Sequence, residues 1–173
     1  MGAVMDTNSE LWRDVAGYEG RYQVSNRGRV RSLGVLMNPW IDNGYRRVYL
    51  RSSGSRKAFK VSRLVASAFL GLSDDQIVDH VDRNRSNDNV TNIRVCGYSQ
   101  NKCNCAVRAD SASRVKGVQL HPIKPRQRRA SAFRVRIQVN GKRLHLGYFD
   151  TVEAASSAYR TAALKYHGEF AHF

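Results

Sequence analysis

The side chains best suited to chemistry are concentrated between Val78 and Asn101: Asp79, His80, Asp82 and Asp88, with asparagines at 84, 87, 89, 92 and 101. Histidine is the residue whose ordinary pKa, about 6.5, lets it accept a proton near neutrality. Asp79 is the direct neighbour of His80, and adjacent residues on a strand point to opposite sides. One of the two can then hold a metal ion while the other faces a water, provided the chain bends just after them. A loop so rich in asparagine buries little apolar area. It is well suited to a fixed polar shape held by side-chain-to-backbone hydrogen bonds.

The flanking pattern supplies elements to position this loop. Residues 76–81 are predicted as a strand, 93–95 as a short returning strand and 98–104 as a helix, giving a hairpin clamped on a helix. Upstream, residues 22–25 and 29–33 are strand candidates around the turn Asn26-Arg27-Gly28. Tyr22, Val24, Val30 and Trp12 would form their apolar face, with Arg21, Arg27, Arg29 and Arg31 toward a partner or water. Residues 45–51 and 57–61 form a second strand pair around Ser52-Ser53-Gly54-Ser55. Leu64, Val65, Ala68 and Phe69 then fall at helical spacing, with Ser62 as the expected N-cap and Gly71 as the stop.

The C-terminal stretch has a different pattern. Phe133, Val135, Ile137 and Val139 alternate with polar residues, Asn140-Gly141 is a strong hairpin signal, and residues 143–149 return as the partner strand. A helix is predicted from Thr151, with Glu153 in its first turn, Ala155, Ala158, Tyr159, Ala162 and Ala163 on its sheet-facing side, and Gly168 as the stop.

Lys and Arg outnumber Asp and Glu 29 to 14, a net charge of +15 that implies a polyanionic partner. The imbalance is steepest at the C-terminal end, where residues 113–173 carry 12 basic side chains against 3 acids. No apolar run approaches the ~18 residues of a membrane-spanning helix, and the first ten residues lack the pattern of a secretory signal. Cys96, Cys103 and Cys105 suggest neither a disulfide framework nor a paired C-x-x-C zinc site, although two of them with His121 could form one. A reducing, cytoplasmic setting is expected.

The segment from Asp79 to Asn101 resembles the HNH nuclease motif, in the subclass found in phage and intron homing endonucleases. His80, Asn92 twelve residues on, and Asn101 nine further fit that motif's steps. The resemblance implies a ββα-metal fold with His80 as general base. Asp79 and Asn101 would bind one divalent ion, and Asn92 would brace the loop and the base. The third position is Asn rather than His, and an amide oxygen is a hard ligand suited to Mg2+ or Mn2+. Phosphodiester hydrolysis needs a deprotonated water and relief of negative charge, which such a site would provide.

The stretch from Trp12 to Leu33 is similar to the nuclease-associated modular motif that precedes HNH units, matching at Trp12, Gly17, Tyr18, Gly20, Tyr22, Val24, Ser25, Asn26, Gly28, Val30, Arg31 and Ser32. Arg27, Arg29 and Arg31 are its candidate DNA contacts. Ser62 stands where the family's helix usually carries a His. The region from Phe133 onward resembles the ethylene-response-factor (Apetala) type domain, with Phe133 in place of the usual Trp. That resemblance implies a three-stranded sheet in the major groove backed by a helix, and suggests Arg134, Arg136, Lys142, Arg143 and His145 as DNA contacts.

The expected fold is therefore α+β: a ββα-metal core flanked by a small β-rich module and a three-stranded sheet on one helix. The expected divisions are 10–55, 56–105, a linker at 106–115, and 116–173. The implied function is sequence-selective, divalent-metal-dependent cleavage of duplex DNA by a homing-type endonuclease, by nicking or double-strand scission. A monomer with no small-molecule substrate is expected. The alternative is a DNA-binding regulator with an inactive HNH remnant, and the intact Asp79, His80, Asn92 and Asn101 stand against it.

Overall fold

A computed structural model describes residues 9–103, 107, 111–120 and 132–173, without the side chains of Ser99, Lys102 and Cys103. The chain is α+β and forms two compact units, residues 1–98 and 99–173.

In the first unit, β1 (Trp12–Asp14), β2 (Tyr22–Ser25), β3 (Val30–Ser32) and β4 (Val35–Leu36) form an antiparallel meander. Alternation along β2 turns Tyr22 and Val24 inward. Trp12, expected on that apolar face, lies elsewhere. It pairs with Ser25, on the opposite side of the sheet from Val24, and its ring sits 4.2 Å below the Arg31 guanidinium.

A second antiparallel sheet joins β5 (Trp40–Asp42), β6 (Tyr45–Ser52) and β7 (Ser55–Lys60). The turn between β5 and β6 is Asn43-Gly44, with φ of 50° and 82°, the two positive values of a type I′ hairpin turn. Helix α1 (Val61–Leu70) follows β7 with no intervening loop, so Ser62 is a buried residue inside the helix rather than its N-cap. Lys60 occupies the cap position without a side-chain cap bond, and Gly71 ends the helix at φ 67°. β8 (Ile77–His80) and β9 (Ile93–Cys96) pair as an antiparallel hairpin.

One apolar cluster draws on β2, β3, β6, β7, α1, β8 and β9, including Tyr22, Val24, Leu50, Val65, Phe69 and Ile93. Burying such side chains stabilises by about 1.5–3 kcal/mol each. Because the cluster is shared, the meander, the second sheet, α1 and the β8–β9 hairpin form one body. The 55/56 division drawn from sequence falls at the first residue of β7.

Helix α2 (Tyr98–Cys103) begins at the boundary between the units. In the second unit, β10 (Val118–Leu120), β11 (Phe133–Val139) and β12 (Lys142–Phe149) form an antiparallel sheet in that order. Val135 and Ile137 face α3 (Val152–His167), which offers Ala155, Ala162 and Ala163, small residues that permit close packing. Thr151 caps α3 by accepting the Ala154 N–H at 3.2 Å. Gly117 passes so near α3 that a Cβ there would lie 2.2 Å from the Tyr159 ring.

Candidate active site and nucleic-acid surfaces

His80 ends β8 opposite Ile93, and Asp79 stands opposite Arg94. Both Asp79 and His80 are buried. Asp79 Oδ2 accepts from Arg94 Nε and Nη2 at 2.9 and 2.8 Å. His80 Nε2 lies 3.0 Å from Oδ1 of Asp88, a carboxylate only 2% exposed. Asp88 was legible in sequence only as an acid within an asparagine run, and no spacing rule singled it out.

The loop between β8 and β9 is held by its own side chains. Asn92 Oδ1 accepts the Asp82 N–H at 3.1 Å, while its Nδ2 donates to Asp82 Oδ1 at 2.9 Å and to the Asn87 carbonyl at 2.8 Å. Asn87 Nδ2 donates to Asp82 Oδ2 at 2.8 Å, and Asn84 N–H donates to Asp82 Oδ1 at 2.8 Å. Desolvation pushes the Asp82 carboxyl up, but the bonds from Asn87, Asn92 and Asn84 outweigh it and hold it below its ordinary value. Asn84 and Asn89 bend their own neighbours by accepting from Ser86 and Thr91. The backbone closes the loop through Val81 N–H to the Asn92 carbonyl at 2.8 Å.

The meander braces this loop from the side. Asn26 carbonyl accepts Val90 N–H at 2.8 Å, and a Cβ on Gly28 would fall 2.8 Å from Asp88 Cβ. Asn26 also accepts from Leu11 N–H at 3.0 Å and donates to the Ser9 carbonyl at 3.2 Å, anchoring the start of the described chain.

A cationic cluster lies beside His80. The Tyr45 ring is 6.1 Å from the imidazole, with Lys60 Nζ 3.7 Å and the Arg85 guanidinium 5.1 Å from that ring. Burial pushes the Lys60 ammonium below its ordinary value, and the charges of Arg47, Arg85 and Arg63 push it further down. A phosphate placed here would relieve that repulsion.

Sequence reasoning also missed the outer face of the β5–β6–β7 sheet. Register sets Trp40, Tyr45, Arg47, Tyr49, Arg51 and Arg56 on one side, away from buried Val48 and Leu50. Trp40 stacks on Tyr49 at 4.2 Å, and Arg56 covers Tyr49 at 3.5 Å. The signal was present as aromatic and basic residues at alternate positions of β6.

Of the basic residues expected to contact DNA in the meander, Arg29 is paired with Glu10, Arg31 is bonded to Gln23, and Arg27 is exposed on the turn. In the second unit, Arg134 and Arg136 both donate to Gln119 Oε1, at 3.0 and 2.7 Å. Register places His145 opposite Arg136 and Arg143 opposite Gln138, on the face turned away from α3. Lys142 instead pairs with Val139, in the row of helix-facing side chains.

Of the two donors expected for a metal, the Asp79 carboxylate is buried in the first unit, and Asn101, half-buried, belongs to the second. Oxygen donors of this kind fit a hard divalent cation, which would have to share Asp79 with Arg94. Among the described residues no three His, Cys, Asp or Glu side chains are grouped to hold an ion. Burial, reinforced by the charge of Asp79, pushes the Cys96 thiol up to about 11, a poor state for a zinc ligand. The Cys103 side chain, Cys105 and His121 lie outside what is described. Among the described residues no helix is long and apolar enough to cross a membrane.

Two segments of the chain match known protein families. Residues 10–51 match the NUMOD4 motif, and residues 59–102 match the HNH endonuclease family. Over 87 residues, 48% of this chain and 50% of the relative, the sequence is 44% identical to DNA endonuclease I-HmuI of Bacillus phage SP01. It is 31% identical over 93 residues to an uncharacterized HNH endonuclease, L245, of Acanthamoeba polyphaga mimivirus, covering 52% of this chain and 28% of that protein. The fold is similar to a solved structure of DNA binding and cleavage by the HNH homing endonuclease I-HmuI. That match has a TM-score of 0.51 and 42% identity, and covers 53% of this chain and 55% of the other. The matched region is thus about half the length of I-HmuI and about a quarter of the mimivirus protein.

Proposed function

We propose that this chain is a homing-type endonuclease that hydrolyses phosphodiester bonds in duplex DNA with the help of one divalent cation, Mg2+ or Mn2+. The observation that carries the reading is the Asp79-His80 pair at the end of β8, set beside a cationic cluster in a segment similar to HNH endonucleases. His80 takes the proton from the attacking water. By their places in the motif, Asp79 and Asn101 would hold the cation, which would supply charge stabilisation for the phosphate and the leaving oxygen. Asn92 keeps the loop in shape through Asp82 and Asn87. Lys60 and Arg85 offer positive charge to the phosphate.

Binding is divided among modules, which we delimit functionally as 10–55, 56–105 and 116–173, with 106–115 as linker. Arg27, Arg29 and Arg31 contact the duplex from the first. The ethylene-response-factor-like sheet reads DNA through Arg134, Arg136, Arg143 and His145, with Lys142 at its edge. The protein acts as a monomer in the cytoplasm of its host cell and has no small-molecule substrate.

The test is cleavage of plasmid DNA by the full chain and by His80→Ala, with chelator, Mg2+ or Mn2+. Wild type should convert supercoiled plasmid to nicked or linear forms only when a divalent ion is supplied. His80→Ala should lose about two to four orders of magnitude in rate while binding DNA normally. A variant within tenfold of wild type would refute His80 as base, and full activity in excess chelator would refute the metal.

A further inference from the structure

We infer that the outer face of the β5–β6–β7 sheet binds the phosphate backbone of duplex DNA on one side of the cleavage point; this rests on the reading of the chain as an endonuclease. The register of the sheet gathers Arg47, Arg51, Arg56 and Lys60 on this face, together with one acid, Asp42. Asp42 is already engaged, since its Oδ2 lies 2.9 Å from Arg47 Nε. The face therefore carries an excess of positive charge, suited to a polyanion. One end of it reaches the catalytic loop, where the Tyr45 ring lies 6.1 Å from the His80 imidazole. The other end, at Arg51 and Arg56, is six residues further along β6. That is a distance of about 20 Å, the axial length of about six base pairs.

The aromatic rings of the face distinguish a duplex from a single strand. β6 is the central strand, so Trp40 on β5 and Arg56 on β7 reach Tyr49 from opposite sides. Trp40 stacks on the Tyr49 ring at 4.2 Å, 20° from parallel, and the Arg56 guanidinium covers it at 3.5 Å. Tyr45 is covered too, by Lys60 Nζ at 3.7 Å and by the Arg85 guanidinium at 5.1 Å. A single-strand platform needs open rings on which successive bases can stack. Tyr49 and Tyr45 are instead filled by their neighbours and hold cations in place. An arginine held in this way loses less freedom when it meets a phosphate. Fixed cations over filled rings suit the outside of a duplex, whose phosphates are met without unstacking a base.

The test uses the full chain and the double variant Arg51→Gln/Arg56→Gln, whose side chains are exposed and leave the core untouched. Titration of a random-sequence duplex at several salt concentrations should show Kd raised about tenfold. The salt slope of log affinity should fall by about 0.9 for each phosphate contact removed. A Kd within twofold of wild type, with the slope unchanged, overturns the inference. Sequencing the nicks made by wild type then gives its cut sites, and duplexes carrying one are shortened up to the cut on either flank. The loss of kcat/KM in the double variant should persist when one flank is removed and vanish when the opposite flank is removed. A loss indifferent to which flank is missing overturns the placement on one side of the cut. Tyr49→Phe should bind as wild type does, whereas Tyr49→Leu frees Arg56 and should weaken duplex binding about threefold. If Tyr49→Leu loses more affinity for oligothymidine than for duplex, the face is a single-strand platform and the inference falls. Failure of the endonuclease reading is separate: wild type would leave plasmid uncut with Mg2+ or Mn2+, while the duplex titration would still test the face.

Discussion

Replacing Gly28 by Ala tests whether the N-terminal turn is part of the body that holds the catalytic loop. Gly28 has φ 73°, and an added Cβ would fall 2.8 Å from Asp88 Cβ and 2.9 Å from its carbonyl oxygen. The left-handed backbone costs an L-residue roughly 1–2 kcal/mol. Forcing a methyl group into a filled space costs about 1–3 kcal/mol more, because the neighbour here includes backbone that cannot rotate away. The expected destabilisation is roughly 2–5 kcal/mol, a large share of the stability of a unit this small. Gly54→Ala is the control: its φ is 79°, and an added Cβ meets nothing within 4 Å. It incurs the backbone cost alone. Trp12 and Trp40 are the two tryptophans of the chain and both lie in the first unit, so their fluorescence follows its unfolding in urea. With a urea m-value of about 1–2 kcal/mol/M, the midpoint of Gly28→Ala should fall below that of Gly54→Ala by about 0.5–3 M. Equal midpoints for the two variants would show that the turn does not pack on Asp88, and the coupling of meander to loop would fail with it.

Two further outcomes follow from the same geometry. Arg134→Ala and Arg136→Ala should each weaken specific DNA binding by about 1–3 kcal/mol and relax site preference if they reach base edges, or reduce the salt slope of log affinity by about 0.9 if they meet phosphates. Affinity, slope and cleavage sites all unchanged, in titrations at several salt concentrations, would remove the C-terminal sheet as a DNA reader. Cys96, with its thiol pushed up to about 11 from an ordinary 9.0, should alkylate at pH 8 roughly a hundredfold more slowly than in the denatured chain, measured by mass mapping of each cysteine. The raised value stabilises the fold fully below pH 9, and that contribution fades as pH rises toward 11. Native labelling as fast as denatured would refute the burial of this thiol.

Much of the molecule was legible before any coordinates because its signals are local. Alternation set β2 and β11, and Asn140-Gly141 marked the β11–β12 turn, since each depends only on neighbours in sequence. Gly71 and Gly168 marked helix ends for the same reason. The candidate residues Asp79, His80, Asn92 and Asn101 lie within one short segment, where the resemblance to the HNH motif picks them out. Asn43-Gly44 carries the same turn signal as Asn140-Gly141, but the strand before it, β5, is only three residues long and has no alternation of its own to show.

What tertiary structure alone decided were the contacts between segments distant in the chain. Ser62 looked like a cap by residue type, yet β7 runs straight into α1 and leaves it in the core. Trp12 looked apolar enough for the core, yet its register with Ser25 puts it under Arg31. Asp88 looked like one acid among asparagines. Only the fold brings it to His80, eight residues away, and brings Gly28, sixty residues away, to Asp88. Sequence periodicity says which face a residue occupies within its own element. It carries no information about which other element that face will meet, because that is settled by the packing of the whole core.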